Sequence, residues 1–405
     1  MNLKLSRRGF TIIELVTVIA IIGILSTLIV VSLDNAKVAG RDSRRLTDIT
    51  QLQLALKLYY NDLGYYPTAI TAGRSIANGA NNYILRVPEN PSPRTDGDCP
   101  DSGYVYSSIE DGQQYSLSFC LGDTTNDLSA GVKTATANGI LDCEDGYIPV
   151  PGSPAFDTND FCVMKFEAKC VNDSAPTVGL TSPVTVLGGF DDETLPCDDS
   201  NAAHVASIAS GMPVTNLPQD LARQHCNAVG GHLMTNAEWM TIARNAEAIG
   251  ANWSGDETGS GSMYGNDNNS INADTYNQSD VSVQHNNGLR LSTGQFIWRL
   301  ANNVAEWTDD TCTSGSGSGN YYEDASVYDW SDSNLNDYER DAAGPSDSSW
   351  GVSKNIGQYY GCSTNGNAFV RGGGSDLNSE KGLYGLDLSS SGSTQAGWLG
   401  FRCVK

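Results

Sequence analysis

The feature that most constrains this chain is a long, predominantly apolar segment close to its N-terminus. The segment runs from Phe10 to Val31 and contains a single charged residue, Glu14. Its length suffices for a helix that crosses a hydrocarbon core of about 30 Å. Lys4, Arg7 and Arg8 precede it, and such a positive flank stays on the cytoplasmic side of a membrane. The sequence therefore predicts one membrane-spanning helix. The part of the chain that follows this helix is expected to lie on the outer side of the membrane.

The helical pattern continues beyond the apolar segment. Apolar residues recur at three- and four-residue steps and form one stripe: Leu46, Ile49, Leu52, Leu56, Tyr59 and Leu63. The basic residues of this stretch are predicted to lie off the stripe: Arg41, Arg44, Arg45 and Lys57. Gly64 is a suitable C-cap, and Pro67 would not continue the helix. We therefore predict one helix over 10–64, which forms a half-exposed spine that packs against copies of itself and against its own head.

Charge and cysteine content place the remainder of the chain outside the cytoplasm. Residues 1–64 contain eight Lys/Arg and five Asp/Glu, whereas the rest contains sixteen and forty-two, a balance of −26. So negative a surface repels phosphate backbones, which excludes nucleic acid as a partner. All ten cysteines lie between Cys99 and Cys403, and no CxxC pair occurs. An even number confined to one region predicts disulfides formed in an oxidising compartment.

The segment that follows the helix predicts a small antiparallel sheet over 65–121. GYVYSS (103–108) and YSLSFC (115–120) have strand composition and flank a turn with Asp111 and Gly112. Cys99 and Cys120 bracket this hairpin, and we expect a disulfide between them. The polar, small residues of 122–146 predict a linker or a long loop.

The N-terminus, RRGFTIIEL, resembles the signature of type IV pilins and type II secretion pseudopilins. The resemblance implies that residues 1–9 are a leader, that a prepilin peptidase cuts after Gly9, and that Phe10 is then methylated. It also implies that Glu14 pairs with the N-terminal amine of a neighbouring subunit during assembly. A carboxylate inside an apolar span is costly, which agrees with a functional role for Glu14. The alternative is that this side chain reaches the membrane interface.

Residues 147–405 predict an irregular α+β domain with two short helices. Asn216 with Gln219, and Thr235 with Glu238, have the spacing of capping boxes. The glycine-rich stretches 251–292 and 308–361 have the composition of disordered segments but also contain tryptophan and tyrosine. We interpret them as ordered loops held by aromatic packing, disulfides and cations, with disorder as the alternative.

A second resemblance covers about 147–405. Five pieces occur in order: YIPVPG, NLPQDLARQHCNAVGGHLMTNAEWMTIAR, NNVAEWTDD, FVRGGGSD and GWLGFRCVK. Together they resemble the motif series of the formylglycine-generating enzyme family, which has a C-type-lectin-like fold. The oxidases of that family carry two neighbouring cysteines between the last two motifs, and 376–400 contains none here. Without neighbouring thiols there is no copper–thiolate site, so the sequence predicts a display scaffold and no enzyme.

The same resemblance implies structural calcium. Asn303, Val304 and Glu306 match the family's calcium motif, and Asn272 with Asp274 fall where a second site is expected. Calcium takes six to eight oxygen ligands, so neighbouring carbonyls would have to contribute. Capping of loops by these side chains is the alternative.

In lectin-like folds the ligand meets loops near the C-terminus, and the polar segment 376–398 has the composition of a recognition surface. The candidate ligand-binding residues are Asp376, Asn378, Ser379, Tyr384, Asp387 and Trp398. The terminal GFR motif also resembles that of variable proteins diversified by retroelements. An ordinary solvated loop is the alternative interpretation of this segment.

Together these patterns predict an α+β protein with a long N-terminal pilin helix, a small antiparallel sheet and a C-type-lectin-like domain. The function they favour is a minor pilin that displays a non-catalytic adhesion domain. The alternative is a structural major pilin or pseudopilin with a decorative head. The expected partners are other pilin subunits and the pilus assembly machinery, the inner membrane, the prepilin peptidase and an extracellular protein or glycan. The precursor is expected to be inserted in the membrane, and the mature protein is expected at the cell surface in an extracellular pilus.

Overall fold

A computed structural model describes residues 12–172, 203–209, 211–265, 287–313, 326–333, 335, 337–373 and 381–405, without the side chains of 23–33 and 337–338. The described elements mix helices with several small sheets, as predicted for an α+β protein.

The first helix, α1, spans Ile12–Leu63 and confirms the predicted spine. Ile49, Leu52 and Leu56 of the apolar stripe are fully buried. Gly64 ends the helix with a φ of +78° and donates its N–H to the Tyr60 carbonyl at 2.7 Å. Arg45 departs from the prediction, because it lies four residues before Ile49, on the same helix face, and is fully buried.

No helix in the described part of the chain has both the length and the hydropathy that a membrane span requires. The predicted span falls partly on residues 10–11 and on the side chains of 23–33, which lie outside the described residues.

The small unit behind α1 contains two sheets. Strands β1 (Ile76–Asn78) and β2 (Asn81–Ile84) pair with each other. Strands β3 (Val105–Ile109), β4 (Gln114–Leu121), β5 (Gly131–Ala135) and β6 (Ile140–Leu141) form an antiparallel sheet in that order. The β3–β4 hairpin and the Cys99–Cys120 disulfide are as predicted. The linker over 122–146 is a wrong prediction, since β5 and β6 lie within it and extend the sheet.

Strand β4 is covered on both of its faces. Alternate side chains, Tyr115, Leu117, Phe119 and Leu121, join the buried face of α1 in one apolar core. On the opposite face, Ser116 and Ser118 donate hydroxyl hydrogen bonds to the carbonyls of Ser292 and Thr293 at 3.0 and 2.8 Å. The C-terminal part of the chain therefore docks directly on the small sheet.

In its described residues, the C-terminal part is built on two main sheets. Strands β7 (Tyr147–Val150), β8 (Phe161–Met164), β11 (His232–Leu233) and β20 (Cys403–Val404) form one sheet in the order β11-β20-β8-β7. Two separate antiparallel pairs are formed by β9 (Ala168–Asn172) with β10 (Ala203–Ser207) and by β12 (Gly288–Arg290) with β13 (Phe296–Trp298).

The second main sheet has six described strands in the order β15-β16-β18-β17-β14-β19. Their bounds are β14 Ala305–Thr311, β15 Val327–Tyr328, β16 Tyr359–Tyr360, β17 Ala368–Arg371, β18 Leu386–Asp387 and β19 Leu399–Phe401. Two of its pairings, β14 with β19 and β16 with β18, are parallel.

The described residues of this part also form three shorter helices: α2 (Gln219–Ala228), α3 (Asn236–Glu247) and α4 (Asp337–Ala343). The capping box of α3 is confirmed, with Thr235 and Glu238 satisfying each other's backbone N–H groups. The one predicted for α2 is wrong. Pro218 is the N-cap residue of α2, and the Gln219 side chain instead donates to the Thr308 carbonyl.

Aromatic residues and disulfides hold the glycine-rich stretches, as predicted for their described parts. Trp253 and Trp330 are fully buried, and the rings of Trp253 and Trp350 lie 4.8 Å apart. The disulfides in the C-terminal part include Cys143–Cys162, Cys226–Cys403 and Cys312–Cys362.

Candidate functional site

The N-terminal part of α1 presents an apolar surface with a carboxylate in its first turn. The exposed large residues are Ile12, Ile13, Leu15, Val16, Val18, Ile19, Ile21 and Ile22, each at least 49% exposed. Glu14 lies among them. Gly9 and Phe10, the predicted processing residues, lie outside the described residues. A continuous apolar surface of this kind requires a lipid or protein partner.

A different arrangement surrounds Glu306, which was predicted to bind calcium. Strand β14 holds this side chain beside β17 and β19, so that Glu306 lies opposite Arg371 and Gly400 in the ladders. Its carboxylate accepts a hydrogen bond from Arg402 Nε at 2.7 Å, and both side chains are fully buried. The structure thus brings together the three C-terminal motifs that the sequence singled out.

The glycine of the middle motif is required by this packing. Gly372 has a φ of +82°, and a Cβ atom there would lie 2.4 Å from the Leu300 carbonyl oxygen.

Burial governs the protonation of Glu306. Loss of hydration raises its pKa to about 7, and the charge and hydrogen bond of Arg402 oppose that rise only in part. The second carboxylate oxygen, Oε2, has no hydrogen-bond partner among the residues described. An unsolvated oxygen of this kind favours the protonated form of the acid.

The neighbouring Asn303 is also engaged by a protein side chain. Its amide Nδ2 donates to Glu167 Oε2 at 2.6 Å, and its φ is +72°. The Val304 N–H points to the other Glu167 oxygen at 3.4 Å.

This donor set does not fit a calcium ion at Glu306. Calcium requires six to eight oxygens, whereas here a buried guanidinium is already the counter-ion of the carboxylate. No group of three or more His, Cys, Asp or Glu within the described ranges is arranged to hold a metal. The weaker candidates, Asn272 and Asp274, lie outside the described residues. Calcium binding at another position of the chain stays a prediction.

The expected recognition segment is described only from residue 381 onward. Asp376, Asn378 and Ser379 lie outside the described residues. Tyr384 is fully buried and donates its hydroxyl hydrogen bond to Glu247 Oε2. The expectation that Tyr384 is an exposed anchor is wrong, because its ring belongs to the main apolar core.

Asp387 is also placed differently from the expectation of an accessible ligand-binding residue. It is 6% exposed, and its carboxylate accepts a hydrogen bond from the Ser389 N–H at 2.7 Å. It therefore shapes the turn that follows β18. Trp398 is half-buried and packs against the second apolar core, next to the segment 389–397, in which exposed and half-buried residues alternate. Of the three described candidates, Trp398 alone keeps an accessible edge.

Sequence reasoning missed a buried ionic network at the base of the small unit. Arg45 donates to Asp42 at 2.6 Å and to Asp96 at 2.9 Å, and Arg41 makes a bidentate contact with Asp96. These hydrogen bonds help to hold the pKa of Asp96 below its usual value, with the Arg41 contact as the largest cause. A signal was available, since Arg45 follows the same helical spacing as Ile49.

Comparisons with known proteins concern mainly the N-terminal quarter. The family described as the prokaryotic N-terminal methylation motif matches residues 4–30. The type II secretion system core protein G of Pectobacterium carotovorum subsp. carotovorum is 31% identical over 113 residues, which cover 27% of this chain and 66% of the relative. The protein of the same name from Klebsiella michiganensis is 35% identical over 97 residues, which cover 21% and 68%. That of Escherichia coli strain K12 is 34% identical over 96 residues, with 21% and 66% covered.

The chain thus spans about two thirds of the length of the curated relatives it matches. Among solved structures, the Major Tropism Determinant I1 Variant has a TM-score of 0.26 and 11% identity, covering 72% of this chain and 71% of that one. The U1 Variant has a TM-score of 0.26 and 13% identity, covering 83% and 73%. A likeness at these scores carries no argument about the fold.

Proposed function

This chain belongs, through its N-terminal quarter, to the family of the type II secretion system core protein G, and from that premise we propose that it is a minor pilin displaying a recognition domain. In this proposal α1 anchors the precursor in the inner membrane and later forms part of a filament core. A prepilin peptidase removes residues 1–9, and Phe10 becomes the methylated N-terminus. The C-terminal domain is carried to the cell surface, where it binds an extracellular protein or glycan.

The division of α1 into two halves is the observation that carries the proposal. Residues 12–22 are exposed and, apart from Glu14 and Thr17, apolar, whereas Ile49, Leu52 and Leu56 are buried against the small sheet. The first half therefore requires lipid or other subunits, while the second half is already covered by its own head.

The firm attachment of the C-terminal domain supports a display role. Besides the two serine contacts of β4, Glu110 accepts a hydrogen bond from the Ser153 hydroxyl, and Asp160 accepts one from Asn138 at 3.2 Å. Cys143 and Cys162 add a covalent link across the entry to this domain. A domain held at so many points moves with its filament subunit.

A recognition role is proposed in preference to a catalytic one. Every cysteine in the described residues is in a disulfide, which supports the proposal that no thiol chemistry occurs there. Trp398 and the exposed residues of 389–397 are the proposed contact surface, because aromatic side chains contribute strongly to interfaces. Diversification of this segment by a retroelement remains a prediction.

A purely structural subunit is the second candidate. The similarity to proteins named as a secretion-system core component favours it, because that similarity lies in the assembly segment. Counting copies in isolated filaments separates the candidates. A minor pilin is present in few copies, whereas a structural subunit forms most of the filament.

The assembly role can be tested with Glu14→Gln, which keeps the size of the side chain and removes its charge. We expect membrane insertion at the wild-type level and at least a tenfold loss of filament incorporation, because the carboxylate no longer pairs with the amine of a neighbour. Incorporation is measured by quantitative immunoblotting of sheared filaments. Thr17→Val, in the next helical turn, is the control and should assemble normally. Wild-type incorporation of the Glu14 variant would remove the basis for the assembly role.

A further inference from the structure

A cleft of about 650 Å³ lies where α1 meets the loop that precedes β3. Its charged lining consists of Lys37, Arg41, Arg44 and Arg94, with Glu89 and Asp101 as the acidic members. The lining thus carries two more positive than negative groups, in a chain whose formal net charge is −23. Because Asp96 neutralises Arg41 and Asp34 pairs with Lys37, the basic character of the cleft rests on Arg44 and Arg94.

The back of the cleft is rigid and electrically balanced. Arg41 and Arg45 are both bound by the Asp96 carboxylate, and Asp42 also accepts hydrogen bonds from the backbone N–H groups of Gly122 and Asp123 at 3.0 Å. These buried contacts leave little freedom for the wall to rearrange.

The front of the cleft carries two arginines that no described residue pairs directly. Arg44 and Arg94 make no hydrogen bond or ion pair with any residue that the structure describes. Arg44 does act at longer range, since burial raises the pKa of Asp48 and the charge of Arg44 opposes part of that rise. Among the described residues, Lys37 is paired only with Asp34, and both of those side chains are more than half exposed. An exposed pair of this kind contributes little stability and exchanges readily for a better partner.

The position of the cleft argues for a protein partner and against lipid. On an α-helix, Arg41 and Arg44 stand about 15 and 20 Å beyond Val31, the last residue of the apolar segment. The headgroup layer on one side of a bilayer is only about 5–8 Å deep. The two arginines would therefore lie beyond the headgroups of an upright subunit.

We propose that this cleft receives an acidic segment from the head of a neighbouring copy in the filament. The inference rests on the proposed filament role, in which each copy brings a head region with a charge balance of −26 close to the base of another. Arg44 and Arg94 bind the incoming carboxylates, and Lys37 lies at the rim. The contact sets the spacing between subunits without using Glu14.

The helical side of the cleft offers a variant that changes its shape and not its charge, because Gly40 is one of the lining residues. Gly40 is a helical residue, and a Cβ atom there meets nothing within 4 Å. Gly40→Leu should therefore fill the cleft while leaving the helix and all of its ion pairs in place.

The test compares three forms of the full chain in its native membrane. Arg44→Glu with Arg94→Glu reverses the cleft charge, Gly40→Leu fills the cleft, and Lys57→Glu with Arg74→Glu is the charge-matched control on exposed residues. We expect at least a tenfold loss of filament incorporation for the two cleft variants and normal incorporation for the control. The melting temperature of the detergent-solubilised chain should be within a few degrees of wild type in all three.

A second readout does not depend on filaments. Membranes containing a mixture of isotopically light and heavy copies are treated with a carbodiimide, which joins amines to carboxylates in direct contact. We expect peptides that link Lys37 of one copy to an aspartate or glutamate of another. The charge-reversed variant should lose these linked peptides.

The outcomes distinguish this inference from the proposed function. Filaments that form without a Lys37 linkage between copies, or that tolerate both cleft variants, would overturn the inference and leave the filament role intact. A wild-type chain that never enters filaments but still gives the linkage would reject the filament role alone. A cleft variant that assembles normally but loses co-purifying phosphatidylglycerol would identify a lipid headgroup as the ligand of the cleft. That result would also overturn the inference.

Discussion

At the scale of single residues, the pair formed by Glu306 and Arg402 shows how the C-terminal core uses charge. Both side chains are fully buried, and Arg402 also donates to the Met164 carbonyl at 3.2 Å. The pair therefore ties β14 to the segment that joins β19 and β20. Removing one member leaves the other buried without its partner, a loss that typically costs about 3–5 kcal/mol.

The raised pKa of Glu306 predicts a pH-dependent stability with a definite sign. Between its ordinary pKa of 4.5 and its folded pKa of about 7, the folded chain keeps a proton that the unfolded chain has released. The free energy of unfolding therefore falls as pH rises through this window, by about 1.4 kcal/mol per unit, and levels off above it. We expect the melting temperature of the full chain to fall from pH 5 to pH 7.

Glu306→Gln isolates this contribution. The variant does not titrate, so its melting temperature should depend less on pH than that of wild type, although it is lower because Arg402 loses its charge partner. Glu89→Gln, at an exposed position, is the matched control and should follow wild type. If the melting temperatures of wild type and Glu306→Gln change equally with pH, Glu306 has the same pKa in the folded and the unfolded chain.

At the scale of elements, local signals in the sequence account for most of what could be predicted. The apolar stripe of α1, the Asp111 and Gly112 turn with φ values of +53° and +87°, and the Thr235 cap each depend on neighbouring residues. Such features can be predicted from the sequence because turn and helix propensities and capping patterns involve only a few neighbouring residues.

The predictions that failed concern features that depend on contacts between residues far apart in the sequence. Strand β5 forms because β4 offers a free edge, and its polar residues gave no strand signal. Tyr384 has a composition suited to a binding surface, yet Glu247, which is 137 positions away, supplies the partner for its hydroxyl group in the core. The candidate recognition site was therefore predictable as a segment and not as a set of side chains.

The disulfides are expected to differ in how much each stabilises the folded chain. Cys99–Cys120 closes a separation of 21 residues, and Cys226–Cys403 closes one of 177 by joining α2 to β20. On a chain-entropy account these contribute about 3 and about 5 kcal/mol respectively. Replacing each pair by alanine in separate variants should lower the midpoint of chemical unfolding more for the second pair. The reverse order would show that strain or residual structure outweighs the entropy of loop closure.

At the scale of the whole molecule, the first open question is whether an ion supports the irregular loops. If calcium binds only the native state, it stabilises by about 2.7 kcal/mol at a concentration 100 times its dissociation constant. We therefore expect calcium to raise the melting temperature of the full chain and a chelator to reverse the rise, with magnesium as the control. A response that persists in Glu306→Gln would locate the ion away from the Arg402 pair. No response to either calcium or chelator would contradict the predicted cofactor.

The second question is whether the small N-terminal unit and the C-terminal domain move together as one rigid unit. Strand β4 contributes one face to the core behind α1 and the other to the hydroxyl contacts with Ser292 and Thr293. Ser116→Glu with Ser118→Glu would place two carboxylates in this buried contact, where an unpaired charge is strongly unfavourable. We expect the C-terminal domain to separate from the small sheet and remain folded, because its own cores and disulfides do not include β4.

Separation is measured by hydrogen exchange and small-angle X-ray scattering on the full chain in detergent. Amide exchange should increase at β4 and around residue 292, and the radius of gyration should rise, while exchange within α3 and β14 stays at the wild-type level. Val105→Glu with Val132→Glu adds the same charge at exposed strand positions and should change none of these quantities. If the serine variant keeps wild-type exchange and dimensions, the docking contact does not hold the parts together, and the recognition domain is free to move relative to its filament.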